Sequence, residues 1–340
     1  MNGLTQENLP PEHELNPVAR LAALAGSDME RVEALITERM GSQTALIPKV
    51  ARYLVEAGGK RIRPLITVAS ARMLGYEGEG HHALAAAVEF IHSATLLHDD
   101  VVDDSEMRRG RRPANQVWGN AHSVLVGDFL FARSFMLMVD AGSMDALHVL
   151  SRAAAVIAEG EVRQLAAVRN IDIGVETYME IIDAKTAALF AAAAQVSPIL
   201  AGSGEMLESA LETYGRELGL AFQLVDDALD YGGLAEDLGK NTGDDFAEGK
   251  MTLPVALAME QADAEETAFW RRVITTPAEQ AEGDFDRAVE ILNRHGALDA
   301  TLSAARDHAG RAVSALNEAP SNIWTESLAA LAEFVVERAY

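Results

Sequence analysis

"ALAAAVEFIHSATLLHDD", residues 83–100, places apolar side chains at three- and four-residue spacing and ends in two aspartates. That period is the period of an α-helix, and alanine, which fills most of the other positions, is the strongest helix former. A helix with small apolar residues on nearly every face is enclosed by other helices rather than laid on a surface. The pattern returns in "VLVGDFLFARSFMLMV" (124–139), "ALHVLSRAAAVIAEGEVRQLAAV" (146–168), "YMEIIDAKTAALFAAAAQVSPILAG" (178–202) and "LETYGRELGLAFQLVDDALDY" (211–231). Alternating β-branched or aromatic runs, the mark of strands, are missing. Breaks fall at "AGGKRIRP", "GYEGEGHH", "RRGRRPAN", "DAGSMDA" and "GGLAEDLGKNTGDD", where glycine and proline punctuate the chain. The expected fold is a single all-α helical bundle over residues 1–340, with 1–17 peripheral.

Composition agrees with this. The chain has 340 residues, 49% of them hydrophobic, enough for a substantial core. No linker-like change of composition divides it. It has no cysteine, which excludes disulfides, thiolate metal sites and cysteine nucleophiles. The polar, acidic N-terminus is neither a signal nor a transit peptide, and no uninterrupted run of about 18 apolar residues occurs. A cytoplasmic protein with no transmembrane segment is expected. The net charge of −24, from 52 acidic and 28 basic residues, speaks against a nucleic-acid partner, which requires a basic face.

The acid is not evenly spread. In "DDVVD", Asp99 and Asp103 lie four apart and so on one helix face, with Asp100 about 100° away. "DDALD" repeats the geometry with Asp226, Asp227 and Asp230. Like charges four apart destabilise a helix, more so at its C-terminus, where the dipole is already negative. One such group reads as a solvated helix end. Two of them, each closing an amphipathic helix, read as carboxylates awaiting a hard divalent cation such as Mg²⁺, which takes oxygen ligands and shares them with phosphate.

Basic residues stand beside these groups. "GGKRIRP" brings Lys60, Arg61 and Arg63 to a helix start, itself an anion site. Arg108 and Arg109 follow the first acidic group. Lys185, Lys240 and Lys250 lie in "AKTAALF", "LGKNTGDD" and "EGKMTLP". Cations placed repeatedly beside glycine loops and aspartates, in so acidic a chain, point to a polyanionic ligand. His98 reads as a packed or capping residue, and His81 and His82 as loop residues. No G-x-S-x-G elbow, Walker loop or H-E-x-x-H occurs, so acyl transfer, ATP hydrolysis and zinc hydrolysis are not indicated.

"LLHDDVVDDSEMRRG" and "FQLVDDALDYGG…LGKNTGDDFAEGKMTLP" resemble the two aspartate-rich motifs of the trans-prenyl diphosphate synthases. "GGKRIRP" and "AKTAALF" match that family's other two landmarks in the same order. The resemblance runs over roughly residues 20–340 and is strongest to the bacterial long-chain, octaprenyl-type members. It implies two or three Mg²⁺ ions (or Mn²⁺) held by Asp99, Asp100 and Asp103 on one side and by Asp226, Asp227 and Asp230 on the other. Arg108, Lys185, Thr186, Gln223, Lys240 and Lys250 would grip an allylic diphosphate such as farnesyl diphosphate. Lys60, Arg63, His92 and Arg109 would hold isopentenyl diphosphate. Asp99, Asp103, Arg108, Lys185, Asp226 and Asp230 would carry the catalysis, and a homodimer is implied.

In that family the growing tail runs beside the first motif's helix, and short-chain members set aromatics four or five residues before the first aspartate. Those positions are Thr95 and Ala94 here, followed a turn back by Ile91 and then by alanines. A deep tunnel is therefore expected, floored by bulky residues of the next helix: Phe131, Phe135, Met136 and Met138. The product would be octaprenyl to decaprenyl, for a quinone tail, with a shorter farnesyl or geranylgeranyl product as the alternative. A class I terpene cyclase shares DDxxD but needs a different second motif and no "GGKRIRP". A silent regulatory subunit usually lacks one of the two aspartate motifs, both of which are present.

Overall fold

A computed structural model describes residues 15–56, 58–105, 107–108, 110–232 and 242–337. Arg109 and Lys240, both expected to bind diphosphate, lie outside the described residues, as does most of the N-terminal stretch. The chain opens with α1 (Pro17–Leu24), α2 (Gly26–Arg39), α3 (Leu46–Glu56), α4 (Ile62–Met73) and α5 (Gly80–Val102). Next come α6 (Ala114–Trp118), α7 (Asn120–Asp140), α8 (Met144–Ala167) and α9 (Val175–Ile182). A π-helical turn over Asp183–Ala187 joins α9 to α10 (Ala188–Ala201), and α11 (Glu205–Gly232) follows with 28 residues. The last part holds α12 (Asp244–Glu248), α13 (Leu253–Met259), α14 (Ala264–Thr275), α15 (Asp284–Arg294), α16 (Ala297–Ala315) and α17 (Ile323–Glu337). Among the described residues there is no strand, only an isolated bridge between Arg108 and Arg111.

The alanine-rich stretches form the centre, as their composition predicts. Phe90, Ile91 and Leu97 of α5 are fully enclosed, each contributing about 1.5–3 kcal/mol through burial. α5 packs along α7, and α10 lies between α4, α8 and α11. Thr67 of α4 donates to the Ala193 carbonyl at 2.8 Å and Ser197 of α10 donates back to the Thr67 carbonyl at 2.7 Å, fastening the two helices. A second, smaller apolar cluster gathers Tyr231, Phe246, Trp270 and Ile291 beneath the end of α11.

Close helix approach depends on particular glycines. A Cβ at Gly215 would sit 2.3 Å from the Phe190 carbonyl oxygen, and one at Gly219 would sit 2.7 Å from the Ala187 Cα. These two, one turn apart on α11, let it press against the π-turn and α10. Gly160 of α8 plays the same part from the other side, 2.8 Å from the Ala184 Cβ and 3.1 Å from the Lys185 nitrogen.

One expectation needs correction. α5 begins at Gly80, so His81 and His82 are buried helix residues and not part of a glycine loop. Their rings converge on Asp28, whose carboxylate also takes two bonds from Arg72, at 2.8 and 2.5 Å. Arg72 already supplies the countercharge there, and the cluster anchors α2 to α4 and α5. Asn120–Asp140 and Val175–Ala201 are long and apolar enough by composition to cross a membrane. The latter is mostly enclosed by the bundle, while the former lays one face on α5 and leaves Leu125, Met136 and Val139 exposed on the other.

Candidate active site

α5 and α11 both end at the site, and each brings its aspartates there at its C-terminal end. α5 stops at Val102, with Asp103 as its cap, and the Asp103 N–H donates to the Asp99 carbonyl at 2.8 Å. Asp99 and Asp103 are thus one turn apart, as their spacing predicts. Asp100 turns inward: it is fully buried and accepts from Arg108 Nε at 2.5 Å, while its backbone carbonyl accepts from Asn115 Nδ2 at 2.8 Å. Its second carboxylate oxygen, Oδ2, is buried with no hydrogen-bond partner.

On α11, Asp230 accepts the backbone N–H groups of Asp244 and Asp245 at 3.2 and 3.1 Å, which ties the start of α12 onto the motif. Asp226 is half-exposed. Asp227 is buried and accepts from Gln223 Nε2 at 2.8 Å and from the Tyr178 hydroxyl.

The π-turn links the two sides. Lys185 Nζ lies 3.8 Å from Asp99 and 2.9 Å from Glu161. Its neighbour Thr186 donates to Gln223 Oε1 at 2.9 Å, and Gln223 reaches Asp227. One irregular turn therefore addresses both aspartate groups through consecutive residues, which fits the association of π-bulges with functional sites. From the opposite direction Lys250 bonds to Glu248 and lies 3.6 Å from Asp245, and Asp103 acts on it electrostatically. A cavity of about 140 Å³ opens on the second-motif side, lined by Tyr178, Lys185, Thr186, Gln223, Asp227 and Lys250 among others.

The electrostatics are those of crowded, desolvated carboxylates. Burial, reinforced by Glu161 and Asp103 against the pull of Lys185, raises Asp99 to about 7. Burial and then Asp245 raise Asp227 to about 8 and Asp230 to about 7, and burial raises Asp100. For Lys250, burial favours the neutral amine, but Asp245, Glu248 and Asp103 outweigh it and hold the proton on. A donor set made only of carboxylate oxygens, mutually repelling and including an unpartnered buried oxygen, fits a hard divalent cation.

The basic residues divide. Arg63 and His92 come together, Arg63 Nη1 lying 3.4 Å from His92 Nε2 with the guanidinium 4.3 Å above the Phe190 ring. Lys60 is exposed just ahead of α4. Arg61 turns away into the protein, in a left-handed backbone conformation (φ 48°), to pair with Glu33 at 2.8 Å and with buried Glu89. His98 packs against α7, its Nε2 3.2 Å from the Val124 carbonyl, as a packed residue should.

Along the expected tunnel, Ile91 and Ala94 are buried and Thr95 is half-buried on the Asp99 face. Phe131 and Phe135 are half-buried in an edge-on pair with ring centroids 5.3 Å apart, and Met138 is fully buried. Met136 departs from the expectation: it is 46% exposed, because one residue before Leu137 places it about 100° round α7 from the buried Leu130–Leu137 face. Sequence reasoning missed Glu161, Tyr178 and Asp245. Asp245, five residues before Lys250 in a glycine-flanked acidic run, carried a readable signal; the other two are recognisable only by their tertiary partners.

A family model described as polyprenyl synthetase matches residues 44–292. Octaprenyl diphosphate synthase of Escherichia coli (strain K12) is 49% identical over 321 residues, covering 94% of this chain and 98% of that protein. The crystal structure of a polyprenyl synthase from Caulobacter crescentus CB15, complexed with calcium and isoprenyl diphosphate, superposes with a TM-score of 0.91 at 55% identity, covering 95% of this chain and 98% of that one. The structure of a decaprenyl diphosphate synthase from Rhodobacter capsulatus gives a TM-score of 0.92 at 52% identity, covering 95% and 100%.

Proposed function

This chain belongs to the polyprenyl synthetase family, and we propose that within it the protein is a long-chain all-trans polyprenyl diphosphate synthase. It is a prenyltransferase that adds isopentenyl diphosphate units in sequence to an allylic diphosphate such as farnesyl diphosphate. The observation that carries the reading is the π-turn, whose Lys185 faces the first aspartate motif and whose Thr186 reaches the second through Gln223. Long-chain relatives support an octaprenyl to decaprenyl product, which suits a quinone side chain.

In this mechanism Asp99, Asp103, Asp226 and Asp230, with Asp100 and Asp227 beside them, would hold two or three Mg²⁺ ions. Bound there, the metal supplies positive charge to the departing diphosphate. Lys185, Arg108 and Lys250, with Thr186, Gln223 and Lys240, bind the allylic diphosphate and stabilise its negative charge as the C–O bond breaks. Lys60, Arg63, His92 and Arg109 hold isopentenyl diphosphate so that its double bond meets the allylic cation. The bond forms, and the proton lost from the adduct passes to the released diphosphate.

A homodimer is part of the proposal. Leu125, Met136 and Val139 of α7 and Val162 and Leu165 of α8 are exposed large apolar side chains on two long neighbouring helices. Exposed large apolar side chains gathered on neighbouring helices suit an association face. A cysteine-free chain is compatible with a reducing cytosol, the compartment proposed.

The test is incubation of the purified protein with Mg²⁺, farnesyl diphosphate and excess isopentenyl diphosphate, with products sized by mass spectrometry. A ladder ending at octaprenyl to decaprenyl diphosphate is expected, and Asp226→Ala should lower turnover by at least about 100-fold with its helical circular dichroism intact. A product ending at geranylgeranyl would refute the chain length, and absence of condensation would favour a regulatory subunit.

A further inference from the structure

Tyr178 belongs to none of the aspartate or basic motifs, and the mechanism above assigns it no task. It is nevertheless 4% exposed on α9, with its hydroxyl donating to Asp227 Oδ2. The other oxygen, Oδ1, accepts from Gln223 Nε2 at 2.8 Å, and Gln223 Oε1 accepts from the Thr186 hydroxyl at 2.9 Å. Four side chains from α9, the π-turn and α11 thus make one continuous hydrogen-bonded chain.

The chain has a direction. Both Asp227 carboxylate oxygens accept here, so the Gln223 amide presents its N–H side to Asp227 and its carbonyl to Thr186. The amide of a glutamine is otherwise free to flip, and a hydroxyl is free to rotate. Asp227 can impose this order only while its own carboxylate is held, and Tyr178 holds the oxygen that Gln223 does not. Tyr178, Thr186, Gln223 and Asp227 all line the same cavity, together with Lys185 and Lys250.

We propose that Tyr178 is a positioning residue for the allylic diphosphate subsite, acting through Asp227 to fix the orientation of Gln223 and Thr186. The inference rests on the reading of the protein as a prenyl diphosphate synthase. Removing the hydroxyl leaves a buried carboxylate oxygen without its donor, and such a group rearranges to find another. Lys60, Arg63 and His92, proposed for isopentenyl diphosphate, are not among the residues lining this cavity.

The experiment uses the full-length Tyr178→Phe protein. Binding of inorganic pyrophosphate in the presence of Mg²⁺, followed by calorimetry, should weaken by about 10-fold or more. The KM for farnesyl diphosphate should rise comparably while that for isopentenyl diphosphate stays within about twofold. Adding Tyr178→Phe to Asp227→Asn should cause no further loss of pyrophosphate binding, since the tyrosine acts through the aspartate. Unchanged pyrophosphate binding, equal changes in both KM values, or additive losses in the double variant would each overturn the proposal. A failure of the broader reading is distinguishable, because the unaltered protein would then neither bind pyrophosphate with Mg²⁺ nor condense the substrates.

Discussion

A carboxylate buried away from water beside other carboxylates keeps its proton until the pH rises well past its ordinary value, and Asp99, Asp227 and Asp230 are in that condition, at about 7, 8 and 7. In the unfolded chain each would titrate near 3.8, so over the intervening range the folded protein binds more protons and stability falls as pH rises. Buried His81, lowered to about 4 by burial and its cationic neighbours, works in the opposite sense, but its effect is complete once the pH exceeds its unfolded value of 6.5. Above that value the slope is set by carboxylates raised by burial, these three aspartates with Asp100, Glu89 and Glu248 acting in the same sense. Metal-free protein should therefore melt at least about 2 °C lower near pH 8.5 than near pH 6.5. Mg²⁺ should restore more of the loss at the higher pH, where its ligands are ionised. Calorimetric scans with chelator and with Mg²⁺ test this, and Asp227→Asn should flatten the metal-free slope. The aspartates were legible in sequence because helix spacing alone puts them on one face. The fates of Arg61 and Arg63 were not, since both read as cations at a helix start. Arg61 is drawn inward by Glu33 and Glu89, each 28 residues away, and only the fold brings them near.

At the scale of the element, α5 was readable almost to its ends, because its alanine and leucine spacing is unambiguous. Its start was misplaced: "GEGHH" looks like a loop until the buried contact of His81 and His82 with Asp28 is known. The π-turn had no sequence signature, since "DAKTA" is ordinary helix composition. It arises where α8 and α11 both approach the chain through glycines. The same helix geometry separates the two positions beside the proposed tail. Thr95, four residues before Asp99, shares its face, whereas Ala94 is rotated away and 1% exposed. Thr95→Phe should therefore shorten the product ladder with little effect on melting. Ala94→Phe should also cost about 1–3 kcal/mol of stability through overpacking. Product sizing and thermal melts on the two variants separate these effects, and an unchanged product from Thr95→Phe would place the tail elsewhere.

For the whole molecule, the all-α architecture followed from periodicity, and the family from four motifs in order. The outer face of α7 and α8 did not, because Met136 is indistinguishable in sequence from the buried Met138 until the helix is set against its neighbours. Met136 was expected to floor a tunnel and instead lies with Leu125 and Val139 on the face proposed to meet a second copy. Replacing Leu125 and Val139 by aspartate should yield a monomer by sedimentation, and a monomeric unaltered protein would contradict the dimer. With a net charge of −24 on each copy, association should strengthen as salt screens the repulsion.

The π-turn has one more consequence. Such a turn is an α-helix carrying a single extra residue, so the frame of the site is set by a count. Deleting one residue within Asp183–Ala187 would restore a regular helix and swing all that precedes it by about 100° relative to α10. Tyr178 would leave Asp227, and Lys185 and Thr186 would lose one of their two addresses. The two halves of the site are kept in phase by one amino acid's worth of length.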